Sequence, residues 1–299
     1  MTSSTLKLSG AYRYRHLDNF CDELGQVLGD RSSAPPQLDM SGLRSLAPAN
    51  LSVLLASIAE RYPEVGSAAL AVPADSSELG CLQERTLEAL MATEVGHWEE
   101  HGSSITGVLL FSAQMEVYQF LGSLSAHLRV HAGLDSDAQG AVYFLLYELI
   151  ANAVQYSGVE RGAVVVELAP ATRGLRVGVA DCGVGIRRSL SRNPAIDAPD
   201  DLSALAAAVR AARTGDPING DGMGLFQARL MVERNGGGFL LRSGDASHER
   251  VPEIKNRDGL PRFHGTLVAA RLRCDGPLAY SAIDETLREP KGIGESVGP

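Results

Sequence analysis

The sequence predicts a mixed α/β (α+β) protein in parts: a small α/β domain over 1–105, a larger nucleotide-site domain over 106–275, and a flexible tail over 276–299. Three observations carry this. Short apolar runs alternate with amphipathic stretches through the first ninety residues. Two long helical patterns, Val117–Val130 and Ala141–Ser157, then follow one another directly. The apolar runs AVVVEL (163–168) and LRVGVA (175–180) come next and read as strands joined by a turn at Thr172–Gly174.

In chain order, Leu17–Leu28 reads as an amphipathic helix, and Pro36–Met40 as a short strand. Leu51, Leu54, Leu55, Ile58 and Ala59 recur at helical spacing. Ser67–Val72 predicts a buried strand and Leu82–Met91 a helix, and Gly102–Ser104 marks a boundary. Asp135, Ser136 and Asp137 offer N-caps to the helix at 141–157. Gly183 to Gly222 is a long connection with one internal helix, Leu202–Ala212. Leu225–Arg234 is a helix that stops at Asn235-Gly236-Gly237-Gly238. Phe239–Arg242 and Leu267–Leu272 are strands, and Ser243–Arg262, polar with Pro252, Gly259 and Pro261, reads as a loop.

The bulk numbers set the class of function. With 299 residues, 44% hydrophobic and 21% charged, the chain can bury a full core without staples. A net charge of −9 argues against nucleic acid or an acidic membrane as partner. Basic residues are nearly all Arg; the lysines are Lys7, Lys255 and Lys291. Cys21, Cys81, Cys182 and Cys274 are scattered, without metal spacing, as suits free thiols in a cytoplasmic protein. Met1–His16 lacks the apolar stretch of a signal peptide. No run reaches the roughly 18–20 apolar residues of a membrane span; Ala141–Val154 is interrupted by Glu148 and Asn152.

The chemistry sits in four segments. On the helix at 141–157, Val142, Leu145, Leu146, Leu149, Ile150 and Ala153 make the apolar stripe, while Glu148 and Asn152 project together one turn apart on another face. A carboxylate beside an amide suits a metal ion and an activated water, although two polar residues on a solvated face read the same way. Asp181-Cys182-Gly183-Val184-Gly185-Ile186 closes an apolar strand: its glycines permit a tight turn, and Asp181 can accept a hydrogen bond from the exocyclic amine of a base. Gly220-Asp221-Gly222-Met223-Gly224-Leu225 opens a helix, whose N-terminus suits phosphate. In His264-Gly265-Thr266 the Thr266 hydroxyl could support a base. Neither glycine box is a dinucleotide fingerprint or a P-loop.

In this order the motifs ELIANAVQYS (148–157), DCGVGI (181–186), GDGMGLFQARLMVERNGG (220–237) and HGTLVAARL (264–272) resemble the GHKL ATP-binding superfamily, over about 170 residues. The resemblance implies a two-layer sandwich of helices on a mixed sheet, binding ATP with Mg²⁺. It implies that Asn152 coordinates Mg²⁺ and that Glu148 is general base in members that hydrolyse ATP. Asp181 would read the adenine amine, with Gly183, Gly185 and Ile186 lining the base pocket. Gly220, Gly222, Met223, Gly224 and Leu225 would border the phosphates, Thr266 would support adenine, and 187–219 would form a lid.

The style is closest to anti-sigma serine kinases, because no separate dimerisation domain precedes the first motif. Phe120–Leu134 superficially echoes a phospho-acceptor histidine helix, but lacks its acidic neighbour and proline; His127 and His131 read as ordinary residues of a domain helix. His97-Trp98-Glu99-Glu100-His101 is not in zinc-protease order. Residues 37–58 resemble the STAS fold, although Leu46-Ala47-Pro48-Ala49-Asn50 stands where that family carries its phosphorylatable serine, and Ser41 and Ser45 are displaced from it.

The resemblance implies a regulatory protein that acts as a serine-kinase-like enzyme or ATPase switch on a protein target, as a monomer or homodimer. The alternative is a non-catalytic, ATP-sensing interaction module. A topoisomerase- or chaperone-like machine is disfavoured by the short acidic chain.

Overall fold

The computed structural model describes residues 5–13, 16–29, 37–61, 70–71, 97–101, 104–112, 114–216, 222–251 and 253–281. The N-terminal elements are β1 (Thr5–Tyr12), α1 (Leu17–Gly29), β2 (Gln37–Leu46), α2 (Pro48–Arg61) and β3 (Leu70–Ala71). Their three strands form a parallel sheet in the order β1-β2-β3. Both helices stand where the periodicity predicts them, and β2 extends well beyond the predicted 36–40. Of the strand predicted at 67–72, only Leu70–Ala71 falls among the described residues. The helix predicted at 82–91 lies outside them, as do positions 282–299 of the predicted tail.

The second sheet has eight strands: β4 (His97–His101), β5 (Ser104–Phe111), β6 (Gly162–Ala169), β7 (Gly174–Asp181), β8 (Gly238–Gly244), β9 (Ala246–Val251), β10 (Glu253–Arg257) and β11 (Phe263–Arg273). Their order is β10-β9-β8-β11-β7-β6-β5-β4. The helices are α3 (Gln114–Ala132), α4 (Ser136–Tyr156), α5 (Gly185–Leu190), α6 (Asp201–Ala208) and α7 (Gly224–Arg234). The result is an α+β sandwich.

Several sequence expectations need correction. The large sheet is antiparallel in every described pairing, not mixed; parallel pairing is confined to the small sheet. The segment 243–262 is not a loop, for it carries the hairpin β9–β10. Its residues are polar on both faces, so no period-2 signal marks them; pairing with β8 makes them strands. His97–His101, for which the sequence offers no element, is a strand. The division at 105/106 falls inside β5, which pairs with both β4 and β6.

The central strands of the large sheet are buried on both faces. Toward α3 and α4, Val164 and Val166 of β6 and Leu175, Val177 and Val179 of β7 join Leu145, Leu146, Leu149 and Ile150 in one core. The opposite face, with Val165, Ala180, Leu240, Leu267 and Ala269, packs on α1 and α2 in a second core. In α2, every residue from Pro48 to Ala56 is buried, as befits a helix apolar nearly all round. Arg242 of β8, fully buried, ties α1 to the sheet. It donates to the carbonyls of Gly244 (2.7 Å), Ala246 (2.9 Å) and Pro261, and its Nε lies 3.5 Å from the Asp18 carboxylate. Arg257 reaches the same carboxylate at 2.7 Å.

Trp98, the sole tryptophan, covers Gly107, stacks on Phe120 and His127, and donates to Ser123 Oγ at 2.8 Å. His127 is thus a packing residue of α3, and His131 stacks on it and lies 3.5 Å from the Glu100 carboxylate. No described helix is long and apolar enough to cross a membrane.

The approach of α2 to β7 depends on Gly178. A Cβ there would lie 2.6 Å from the Pro48 carbonyl oxygen and 2.7 Å from both Ala49 Cα and Ser52 Oγ. Gly178→Ala is therefore expected to lower stability by about 1–3 kcal/mol through overpacking. Urea denaturation measures it; an unchanged midpoint would mean that α2 retreats from the sheet without cost.

Candidate functional site

The α4 helix starts at an Asp135 N-cap, whose carboxylate accepts from Ala138 N at 2.8 Å. Its apolar stripe is pinned to the sheet, so its other face is directed at a cavity of about 450 Å³. Glu148, Asn152 and Tyr156, at i, i+4 and i+8, line that cavity together. The Asn152 amide is oriented by its own helix: Nδ2 donates to the Glu148 carbonyl at 2.6 Å. A carbonyl can only accept, so Oδ1 is the amide's remaining acceptor end.

The cavity's second wall comes from the end of β7. Asp181 is 3% exposed and lines the cavity. The Gly183 amide donates to its Oδ1 at 2.9 Å, and Thr266 is its register partner on β11. Burial pushes the Asp181 carboxyl up to about 7, against the opposing pull of the neighbouring backbone amides, that of Gly183 first. Gly183 does not line the cavity. It packs against the Ser157 carbonyl too closely for a Cβ, while Val184 N donates to that same carbonyl at 2.8 Å. The end of α4 is thereby fastened to the loop after β7. Gly185 (φ +76°) and Ile186 do line the cavity.

The third wall is the start of α7. Gly222 (φ +69°), Gly224 and Leu225 line the cavity; Met223 is the N-cap and does not. No side chain caps this helix, so its N-terminus faces the cavity with backbone dipoles. A Cβ on Gly224 would collide with the Glu148 carboxylate and lie 3.2 Å from Asn152 Nδ2. The glycine thus keeps open the space above the Glu148–Asn152 pair. Thr266, on β11 opposite Asp181, completes the ring. Gly220 lies outside the described residues.

Over residues 187–216 the connection is not one loose span. α5 and α6 bury Leu190, Ala204, Leu205 and Ala208 in the core. α6 ends at Ala208, earlier than the predicted Ala212, which has φ +57°. Beyond it, Arg213, Thr214 and Gly215 line the cavity. Tyr156 Oη bonds Thr214 Oγ1 at 3.2 Å, and Asn193 Nδ2 donates to the Thr214 carbonyl at 2.9 Å.

Lining residues that sequence reasoning missed include Tyr147, Tyr156, Arg213, Thr214 and Val268. Tyr156 carried a signal, because it continues the i, i+4 row of Glu148 and Asn152. Arg213 and Thr214 carried none, since the path of their segment is set by tertiary hydrogen bonds. Arg213 is the one cation among the described lining residues. Among the described residues, no group of three or more His, Cys, Asp or Glu could hold a metal by itself.

No protein-family model matches the sequence, and no curated protein matches it. Among solved structures, the chain is similar to the histidine kinase domain of the blue-light activated histidine kinase EL346 from Erythrobacter litoralis. The identity is 14%, the match covers 87% of this chain and 93% of that one, and the TM-score is 0.25. So low a score carries no argument, and the reading of the site rests on its own residues.

The buried carboxyl makes a pH prediction. With Asp181 ordinarily near 3.8 and raised to about 7 in the fold, the unfolded chain releases this proton first. Between about pH 4 and 7 the native state therefore holds the extra proton, and stability falls as pH rises. Asp181→Asn removes that loss. In calorimetry of ligand-free protein, the melting temperature of the variant relative to wild type is expected to climb from pH 4 to 7 and level off above. A difference constant with pH would contradict the burial assignment.

Proposed function

We propose that the cavity is a Mg-ATP site of the GHKL type, and that the protein is a regulatory kinase-like enzyme or ATPase switch acting on a protein target. The observation that carries this reading is the convergence of four motifs, far apart in sequence, on one cavity. A buried carboxylate stands at one wall, and at another a glycine-bordered helix N-terminus faces a carboxylate–amide pair. A base with an exocyclic amine suits Asp181 and Thr266, with Ile186, Leu190 and Val268 as apolar walls. Phosphates suit the start of α7.

The donor set fits Mg²⁺. Asn152 lines the cavity, its Oδ1 is a hard oxygen donor, and Gly224 leaves room above the Glu148–Asn152 pair. Asn152, with phosphate and water oxygens, would hold the ion, which when bound neutralises phosphate charge. The described lining carries two carboxylates, Glu148 and Asp181, and one cation, Arg213. A triphosphate therefore needs the added positive charge.

In the proposed reaction, the Glu148 carboxylate takes a proton from a water or from a hydroxyl of the target. That oxygen bonds to the γ-phosphorus as the bond to the bridging oxygen breaks and ADP departs. Positioning and charge supply the rest of the catalysis.

Asp181→Ala is expected to weaken ATP binding about tenfold or more, through loss of a charge-assisted hydrogen bond of roughly 1.5–3 kcal/mol. Calorimetry with unaltered affinity would remove the adenine assignment. Glu148→Gln is expected to retain ATP and lose turnover, whereas Asn152→Ala loses Mg-dependent binding as well. Phosphate and ADP release, assayed with and without candidate targets, distinguishes the two readings. Equal background rates in wild type and Glu148→Gln under every condition, with ATP bound by both, would favour the non-catalytic sensor.

A further inference from the structure

The last described residues of the chain lie on α4. After β11, Asn235 Nδ2, just past the end of α7, donates to the Pro277 carbonyl at 3.3 Å, and Leu278 packs against the core. Tyr280 meets Phe144 edge to face, with ring centroids 5.5 Å apart, and its Cβ would lie 3.7 Å from a Cβ on Gly140. Ser281 turns both of its donors on one carboxylate. Its amide reaches Asp137 Oδ1 at 3.2 Å and its hydroxyl reaches Oδ2 at 2.9 Å.

These contacts fall on one row of the helix. Asp137, Gly140 and Phe144 stand at i, i+3 and i+7, and the row continues through Tyr147 and Glu148 to Ala151. From Gly140 onward these residues are half-buried, and the last three line the cavity. α7 runs beside α4 in the opposite direction: its first residue, Gly224, faces Glu148, while Asn235 holds the segment that lies over Gly140. One end of the row is thus covered by the chain's own C-terminal segment, and the other opens on the Glu148 carboxylate.

The rise of the helix from Asp137 to Glu148 is about 16 Å. The sequence after Ser281 carries two hydroxyls, Thr286 and Ser296. At full extension Thr286 covers at most about 17 Å, which leaves nothing for entry into the cavity. Ser296 covers up to about 50 Å and reaches with slack. It stands in Gly294-Glu295-Ser296-Val297-Gly298, where a glycine on either side lets the backbone approach a wall closely. Thr286 lies between Glu285 and Leu287.

We propose that the row Gly140–Phe144–Tyr147 is a docking track for this chain's own C-terminal segment, and that Ser296 is phosphorylated in cis beside Glu148. This rests on the ATP-dependent enzyme reading of the cavity. The Ser296 hydroxyl gives its proton to the Glu148 carboxylate, its Oγ bonds to the γ-phosphorus of ATP, and the bond to the bridging oxygen breaks as ADP leaves. Acceptor and base on one chain replace a bimolecular encounter with an intramolecular one.

The test uses the full chain with ATP labelled at the γ-phosphate, read by peptide mass mapping. Phosphate is expected on Ser296, at a rate per molecule unchanged by about a hundredfold dilution. Ser296→Ala is expected to abolish incorporation with calorimetric ATP affinity unaltered, and Ser296→Thr to retain it. Tyr280→Ala frees the start of the segment and is expected to slow incorporation about threefold at equal ATP affinity. A readout without nucleotide comes from cysteine pairs under mild oxidation. Ser296→Cys with Tyr147→Cys is expected to give about tenfold more disulfide than Ser296→Cys with Ile254→Cys, an exposed position on the edge strand β10.

Phosphate on Thr286 instead, a rate that scales with protein concentration, a rate unmoved in Tyr280→Ala, or equal disulfide yields would overturn the proposal. So would ATP turnover with phosphate delivered only to water or to another protein, and the enzyme reading would then stand without it. ATP bound with no turnover under any condition, or no ATP bound at all, would overturn that reading and the acceptor role together.

Discussion

Burial of β7 on both faces is the constraint from which the rest follows. Leu175, Val177 and Val179 face the helices, while Gly178 and Ala180 face α2 and its neighbours. A strand held this way has no freedom to rotate or slip, because a one-residue shift would exchange its two faces. Its last residue is Asp181, so the register that packs the core also fixes where the carboxylate stands. β11 is matched to β7 from Thr266–Asp181 to Arg273–Gly174 and delivers Thr266 to the same point.

The site then works by opposed environments within one cavity. At the β7 end the carboxylate is buried, raised toward neutrality, and held by the Gly183 amide. At the α7 end, helix dipoles and glycines leave an open anion-friendly surface beside a carboxylate–amide pair. These walls are carried by elements whose apolar faces share one core. The segment after α6 brings Arg213, Thr214 and Gly215 to the cavity lining, where hydrogen bonds link Thr214 to Tyr156 and Asn193.

The N-terminal region belongs to this design more closely than a tandem arrangement implies. α2 lies on the back of β6 and β7, Arg242 and Arg257 grip Asp18 of α1, and Ser57 Oγ lies 3.5 Å from Cys182 Sγ, one residue beyond Asp181. The sheet thus carries the cavity on one face and the first region on the other.

The sequence by itself determined the long helices, the central strands and the residue types of the site. Those signals are local: a 3.6-residue stripe beside Glu148 and Asn152, an apolar run ending in Asp181, and glycines where only a bare backbone fits. What only the tertiary structure decided are features without a local signature. Strand direction in the large sheet, the polar β9–β10 hairpin and strand β4 depend on pairing partners. The path of Arg213 and Thr214 to the cavity lining depends on bonds to Tyr156 and Asn193. Ser243, which reads as the first residue of a polar loop, belongs to β8 and bonds two backbone groups 57 and 22 residues away in the chain. Periodicity reports which face a residue occupies; it holds no information about which distant peptide that face will meet.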